Sequence, residues 1–552
     1  MRLVLVLLLV CGLAWSGFAA DTASSDLDWW REARFGLFLH WDMVSLVGAE
    51  ISWSRGLEIP KEEYDALYKR FNPVDFDPDE WVALAKAAGM KYLVFTTKHH
   101  DGFSMFDSAW TDYKITNSPY GKDIVKQLAE ACHRGGLKLG FYYSPPDWYS
   151  PDFRNPITGW RHTRFIHRQL RELCTKYGKV DIIWFDGLDT TAAENSAVKL
   201  LAMIRRLQPG VLINNRSGLP GDFDTPEQTV GGFNRARPWE SCITIGNQWS
   251  YRPKDTIKSL EECLGTLIRC AGGDGNLLFN VGPMPTGQIE PAQADRLREM
   301  GKWLAQYGQS VYGTRGGPYK PADWGVTTCK GKSVFLHILS WEDLGDEEAG
   351  LPLLPPLPAK ILSCRALTGG TATCSQSEEG LRLFVKPSAR VSPDTLIELV
   401  LDRDAETLEP LLAPSRSRSV GKPATASNVF QGMTWGFGPQ AAVDGNLSSR
   451  WATDSGTLSA WLEVDLGAPM TCGKARLLEA APYDGRVKRF RLLYRNAPEE
   501  AWQVALEGAE LPKITITFAP FTARYVRLDL PEAIEGPTIA DFSLYPPSEV
   551  TN

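Results

Sequence analysis

Between about Asp26 and Tyr307, strand-length apolar runs alternate with segments whose apolar residues recur at helical spacing, which confines this stretch to a βα architecture. The pattern predicts helices over Asp79–Ala88, Ile124–Cys132, Thr163–Lys176, Val198–Leu207 and Pro291–Leu304. Strands are expected over Lys138–Ser144, Asp181–Gly187, Val211–Arg216 and Asn276–Pro283. A (β/α)8-type barrel, possibly irregular, accounts for this alternation, and residues 21–311 match the roughly 250 residues such barrels take.

At 552 residues the chain is too long for one hydrophobic core. After Tyr312–Pro318 the helical period disappears and short alternating strands such as Ser333–Leu339 and Leu381–Val385 take over, so residues 312–412 are expected to form a small β-sandwich. Residues 413–425 have the composition of a solvated linker. Beyond them, residues 426–552 are again all-β, with strand-like pieces at Trp461–Leu466, Arg489–Tyr494 and Ala523–Leu530. The fold class is therefore multidomain, α/β followed by all-β.

Residues 1–20 have the form of a secretory leader: Arg2, an apolar stretch from Leu3 to Ala14, and a small-residue exit at Gly17–Ala20. No later run reaches the roughly 18 apolar residues needed to span a bilayer, so a secreted or periplasmic product with no membrane anchor is expected. Cys132, Cys174, Cys263 and Cys270 fall on apolar helix faces, while Cys364 and Cys374 are candidates for a disulfide in an oxidising compartment. A net charge of −7 with no basic run beyond Ser415–Arg418 excludes a nucleic-acid partner. The 19 Trp, 17 Tyr and 23 Phe supply flat faces on which sugar C–H groups pack, although most such rings belong to ordinary core.

The run Asp181–Gly187 ends on a carboxylate, Asp186, where a parallel barrel keeps its chemistry, which makes Asp186 a candidate nucleophile. A carboxylate nucleophile needs a partner acid that protonates the group it displaces. Glu227, in the Gly/Pro-punctuated stretch Gly221–Glu227, is the preferred acid. Glu240 is the runner-up, because Trp239 beside it would raise its pKa, and its plainer reading is a barrel-strand carboxylate. His40, His99 and His100 end strand-like runs and suit sugar hydroxyls, a His/His/Asp zinc site being the rival reading without any C-x-x-C spacing to support it. Tyr143 is placed near the nucleophile, Trp184 as its shield, and Arg216 as the cation that steadies a carboxylate.

Taken in order, Phe35–Trp41, Thr97–Phe103, Tyr142-Tyr143-Ser144 with Asp147-Trp148, Trp184–Gly187 and Asn276–Pro283 resemble the retaining α-L-fucosidases over about residues 27–318. The resemblance implies an exo-acting enzyme that removes terminal α-linked L-fucose from glycans with no cofactor, with Asp186 as nucleophile, the acid supplied from a variable loop, and the three histidines on the sugar. Where that family commonly shows Glu-Trp, this chain has Glu50-Ile51-Ser52-Trp53, and Trp53 is carried over as a sugar-stacking residue. A retaining glycosidase for another sugar and a barrel that binds sugar without cleaving it are the other readings; the intact Asp186 and both glutamates speak against the latter. Asp444-Gly445-Asn446 and Arg450-Trp451 resemble discoidin-like (coagulation factor type C) carbohydrate-binding modules. That implies a structural Ca²⁺ on Asp444 and Asp541 with carbonyls near Asn446, a plain turn being the alternative, and sugar contacts at Trp435 and Tyr483.

Overall fold

The computed structural model describes residues 24–187, 190–341, 353–413, 415, 417–445, 449–480, 483, 485–512 and 515–547; the expected leader, Asn446 and the Trp435 side chain fall outside them. Seven parallel strands form the first sheet: β1 (Phe35–Leu39), β2 (Tyr92–Lys98), β3 (Lys138–Tyr143), β4 (Ile182–Phe185), β5 (Leu212–Ile213), β6 (Glu240–Thr244) and β7 (Asn276–Val281). Their order is β5-β4-β3-β2-β1-β7-β6. Between the two ends runs an irregular extended segment, bridged in parallel at Asn214↔Phe223, Asp224↔Trp239 and Glu227↔Cys242. Asp224 O accepts from Glu240 N at 2.8 Å and Pro226 O from Cys242 N at 3.0 Å.

The helices are α1 (Ser24–Ala33), α2 (Lys61–Ala66), α3 (Pro78–Ala87), α4 (Ile124–Gly135), α5 (Gly159–Lys176), α6 (Ala197–Leu207), α7 (Leu260–Gly272) and α8 (Pro291–Tyr307). Their starts follow from local chemistry. The Asp77 carboxylate accepts from the amides of Asp79 and Glu80 ahead of Pro78 in α3, and Ser259 with Glu262 forms a reciprocal capping box on α7. Gly136 ends α4 at φ +67°, where a Cβ would be strained.

Strand residues alternate between two separate cores. Phe38, Val94, Tyr142, Ile182 and Trp184 pack together inside the sheet. Leu37, Phe95, Phe141, Tyr143 and Phe185 face the opposite way and join the helix residues. Both faces are apolar because both are covered, as for any helix-flanked parallel sheet.

Downstream, a five-stranded antiparallel sheet runs Ile361–Ala366, Thr395–Leu401, Ser333–Ile338, Gly325–Lys330, Arg315–Gly316, and a three-stranded one runs Leu353–Leu354, Leu381–Val385, Ala372–Gln376. They share a core that includes Leu336, Leu399, Leu383 and Val385. The C-terminal sheet is built on two long strands, Ala460–Glu479 and Ile516–Ala533, around buried Trp451. Cys364 and Cys374 are unbridged thiols. Two expectations need correction. The 413–425 stretch is not a solvated linker: Ser417 and Ser419 are buried, and Ser419 Oγ donates to Phe542 O at 2.7 Å and accepts from Leu544 N at 3.0 Å. Asp541 is no free metal ligand either, because its oxygens are taken by Arg476 Nε at 2.6 Å and Ser543 Oγ at 2.8 Å, which sets a guanidinium where a cation would sit. Asp444, on an exposed turn, accepts from Ser449 Oγ at 2.6 Å.

Arg34, just before β1, is fully buried and pairs with Asp274 at 2.6 Å, while also donating to the carbonyls of Gly275 and Thr314. Asp274 in turn accepts from Gly316 N at 3.1 Å, so the pair ties the first strand of the parallel sheet to the next sheet. Asp274→Ala leaves that guanidinium charged and unpaired and should destabilise the chain by about 3–5 kcal/mol, read as a lower urea midpoint by tryptophan fluorescence.

Candidate active site

The inward-facing residues stack in layers along the sheet. Tyr92 and Glu240 lie lowest, with Phe38, Tyr142 and Trp184 above them; Phe38 and Trp184 rings are 5.2 Å apart, and Tyr142 stacks on Trp184 at 5.7 Å. At the C-terminal ends of the strands the layer turns polar. His40 follows β1, His99 and His100 follow β2, and Asp186 follows β4. His40 lies 5.5 Å from His99 by ring centroids, His99 lies 4.2 Å from His100, and His99 stacks on Tyr142 at 5.2 Å with near-parallel planes.

Asp186 is the centre of this layer. Its Oδ2 accepts from the Tyr142 hydroxyl at 2.9 Å and lies 3.5 Å from His100 Nε2, and its Oδ1 meets Arg216 Nη1 at 3.1 Å. Burial alone would raise its pKa, but the Arg216 guanidinium and the Tyr142 hydroxyl outweigh burial and hold the carboxyl below the ordinary aspartate range. Arg216 is itself fixed by Thr225, through Nε to Oγ1 at 2.8 Å and Nη2 to the carbonyl at 3.0 Å, and its guanidinium lies 4.8 Å over the Trp184 ring. The glycine after Asp186 has a steric reason, since a Cβ at Gly187 would stand 2.2 Å from Arg216 O.

Glu227 sits on the irregular segment beside β6, and its Oε2 contacts the same Arg216 Nη1 at 2.7 Å. One nitrogen thus touches both carboxylates, so their facing oxygens stand no farther apart than 3.1 and 2.7 Å laid end to end. That is short of the roughly 6.5–9.5 Å of inverting glycosidases and close to the roughly 5 Å of retaining ones. Glu227 is about half exposed and Asp186 is buried, the arrangement expected of a group that meets solvent and one that does not.

The imidazoles are neutral. Burial pulls His40 down to about 3 and His100 down to about 4, the latter despite Asp186, and holds His99 well below its usual value. His99, His100 and Asp186 offer ligand atoms within 4.8 Å of one another, but Arg216 already supplies the positive charge at Asp186, which disfavours a divalent ion there. Trp53 is exposed at the rim, edge-on to His100 at 5.9 Å and to Trp148 at 5.2 Å.

Against this geometry stand the relatives. A family profile described as alpha-L-fucosidase matches residues 16–309, and one for the F5/8 type C domain matches residues 423–542. The chain belongs to the α-L-fucosidase family. Alpha-L-fucosidase of Branchiostoma floridae is 30% identical over 373 residues, covering 59% of this chain and 82% of that one. Human plasma alpha-L-fucosidase is 30% identical over 368 residues, covering 59% and 78%. Among solved structures, alpha-L-fucosidase isoenzyme 1 of Paenibacillus thiaminolyticus superposes with a TM-score of 0.62 at 36% identity, covering 68% of this chain and 99% of that one. A Bacteroides thetaiotaomicron alpha-L-fucosidase described as a trapped covalent intermediate gives 0.61 at 26% identity, covering 68% and 96%.

Within this fucosidase site two expected residues are displaced. Tyr143 points away from the pocket: it pairs in register with Phe185, its ring is buried in the outer core, and its hydroxyl donates to Gln169 at 2.9 Å on α5. Tyr142, in register with Trp184, takes the place beside Asp186. Glu240 is displaced downward. It begins β6, fully buried, with Oε1 accepting from Trp184 Nε1 at 3.1 Å and Oε2 from the Tyr92 hydroxyl. Burial pushes it up to about 7, offset in part by those two donors, so its acidity suits a general acid but its position under Trp184 does not. Trp184 accordingly lies in the pocket floor, with Glu240 on its Nε1 and the Arg216 guanidinium over its ring. Trp249, 4.8 Å from His40, and Asn280, whose Oδ1 lies 2.7 Å from His40 Nδ1, also belong to the wall. Asn280 lies in the Asn276–Pro283 motif, whereas Trp249 has no sequence signal beyond being aromatic.

Two outcomes check this assignment. Tyr142→Phe should lower kcat about tenfold, the cost of one hydrogen bond to a charged group, while Tyr143→Phe should leave kcat within about twofold in steady-state assays. If Asp186 is the attacking carboxylate it must be ionised, so activity should fall as pH drops through its pKa; Arg216→Met removes the cation that lowers that pKa. The acid limb of the kcat/KM profile should therefore move to higher pH.

Proposed function

We propose that Asp186 attacks the anomeric carbon of a terminal α-L-fucoside while Glu227 protonates the departing oxygen, and that Glu227 then activates the water that frees the sugar. The observation that carries this reading is the single Arg216 nitrogen held between the two carboxylates. The Arg216 contact suits the second half-reaction, in which Glu227 works as a carboxylate; in the first half Glu227 enters protonated, and the glycosidic oxygen displaces the guanidinium from it. Neutral imidazoles from His40, His99 and His100 meet the sugar hydroxyls, and Trp53 with Trp148 borders the mouth of the pocket.

Membership of the α-L-fucosidase family supports fucosylated glycans as substrates, and the retaining course follows from the short carboxylate separation. The bridged segment from Phe223 to Glu227 reads as an irregular eighth stave, which would close the sheet into a (β/α)8-type barrel and bring Glu227 to the same end as Asp186. In this reading the paired antiparallel sheets of residues 312–412 form a sandwich, residues 426–552 form a sugar-directed module, and export follows from the leader-like residues 1–20.

Asp186→Ala should cut release from an aryl α-L-fucoside by at least about 10³-fold with circular dichroism unchanged. Glu227→Ala should lose about 10²–10⁴-fold on a glycan with a poor leaving group and less on the aryl fucoside, with azide restoring turnover as a fucosyl azide. Glu240→Gln should not respond to azide. Catalysis needs no metal in this scheme, so exhaustive chelation should leave turnover unchanged; a loss restored by zinc would replace it with the His99/His100/Asp186 metal reading.

A further inference from the structure

Ser52, within the Ile51-Ser52 step that separates Glu50 from Trp53, is fully buried and has a left-handed backbone at φ +58°. That conformation favours glycine, yet a side chain is kept there. Its Oγ has three polar neighbours: Asp101 N at 2.9 Å, Asp101 Oδ2 at 3.0 Å and His99 Nδ1 at 2.6 Å. A hydroxyl has one proton and two lone pairs. The Asp101 amide fills one lone pair. The Asp101 oxygen, which also takes the Tyr64 hydroxyl at 2.7 Å, accepts only, so it takes the serine proton. What remains toward His99 is a lone pair, and Nδ1 must therefore carry the proton. In a neutral ring the other nitrogen, Nε2, is then an acceptor.

The same counting applies to the other two rings. Asn280 donates its amide to Trp249 O at 2.7 Å, which turns Oδ1 toward His40 Nδ1. Ser144 donates to Pro146 O at 2.8 Å, so its oxygen accepts from His100 Nδ1 at 2.6 Å. Each ring is held from its Nδ1 side by a group that can only accept.

We propose that Ser52 is a positioning residue that locks His99 in the Nδ1–H tautomer, and that Ser52, Asn280 and Ser144 together make the pocket an acceptor-only imidazole array that reads substrate hydroxyls as donors. An acceptor fixed in a dry pocket discriminates strongly, because a substrate lacking the matching hydroxyl leaves the nitrogen unpaired. The proposal rests on the glycosidase reading only for the identity of the sugar.

The experiment has two arms on the full chain. In protein labelled with ¹⁵N-histidine at neutral pH, His99 should show a protonated Nδ1 and a bare Nε2. Ser52→Gly, which relieves the backbone conformation while removing the hydroxyl, should release that ring toward the Nε2–H form that free imidazole prefers, with His40 and His100 unmoved. In kinetics on aryl 2-, 3- and 4-deoxyfucosides, Ser52→Gly should raise KM for the parent glycoside about tenfold with kcat within about threefold. That penalty should vanish for the one deoxy sugar that lacks the hydroxyl facing His99. Ser52→Ala, which keeps the β-carbon, repeats both arms if the glycine variant loses its near-ultraviolet circular dichroism. A wild-type His99 protonated on Nε2, or a Ser52 penalty equal on every deoxy sugar, overturns the proposal. Wild-type protein inert toward the parent fucoside would overturn the glycosidase reading instead, and the ¹⁵N arm would still decide the tautomer.

Discussion

His40 and Asp186 are placed by the two-residue period of a parallel sheet buried on both faces. Alternate residues of β1, β3 and β4 go to separate cores, so Phe38 and His40 or Trp184 and Asp186 share the inner face while their neighbours meet the helices. A slip of one residue in β4 would turn Asp186 into the helical layer and put Phe185 in the pocket. The large apolar residues on both sides make that slip costly, since each would exchange one fitted core for another. The polar layer at the strand ends is held in place by the two cores beneath and around it.

That placement also sets the electrostatics. An aromatic floor of Phe38, Tyr142 and Trp184 withholds water from the histidines, which is why three imidazoles in one pocket stay uncharged. Asp186 stays ionised in the same surroundings because Arg216 stands against it, steadied by Thr225 and by the Trp184 face. Glu240 is the useful contrast. Its raised pKa by itself would nominate it as an acid, yet Trp184 Nε1 and the Tyr92 hydroxyl already satisfy its oxygens. A perturbed pKa marks a buried charge; only geometry tells whether a substrate can reach it.

Much of this was legible in the residue order. The expected helices and strands fell within a few residues of their ends because caps and apolar periods are local signals, as at Asp77 and Gly136. Asp186, Arg216 and the three histidines stood out as candidates because each closes or follows an apolar run, and Glu227 because it lies in a Gly/Pro-punctuated stretch. Tyr142 and Tyr143 were not separable, since adjacent tyrosines look alike until strand register assigns each a face. Asp541 looked like a free loop carboxylate because its partner Arg476 is 65 positions away in sequence, and the docking of Ser419 onto Phe542 and Leu544 spans more than 120.

From sequence alone came the βα alternation, the all-β remainder, a candidate nucleophile and a choice of two candidate acids. Local periodicity and strand-end chemistry need no distant partner, so composition and order suffice for them. Tertiary structure decided which tyrosine faces Asp186, which glutamate shares a nitrogen with it, and which group the Nδ1 of each histidine meets. Those outcomes depend on register, on a segment bridged across the sheet ends, and on hydrogen-bond partners such as Asn280, 240 residues from His40. Only the closed-up chain brings such groups within 3 Å of one another.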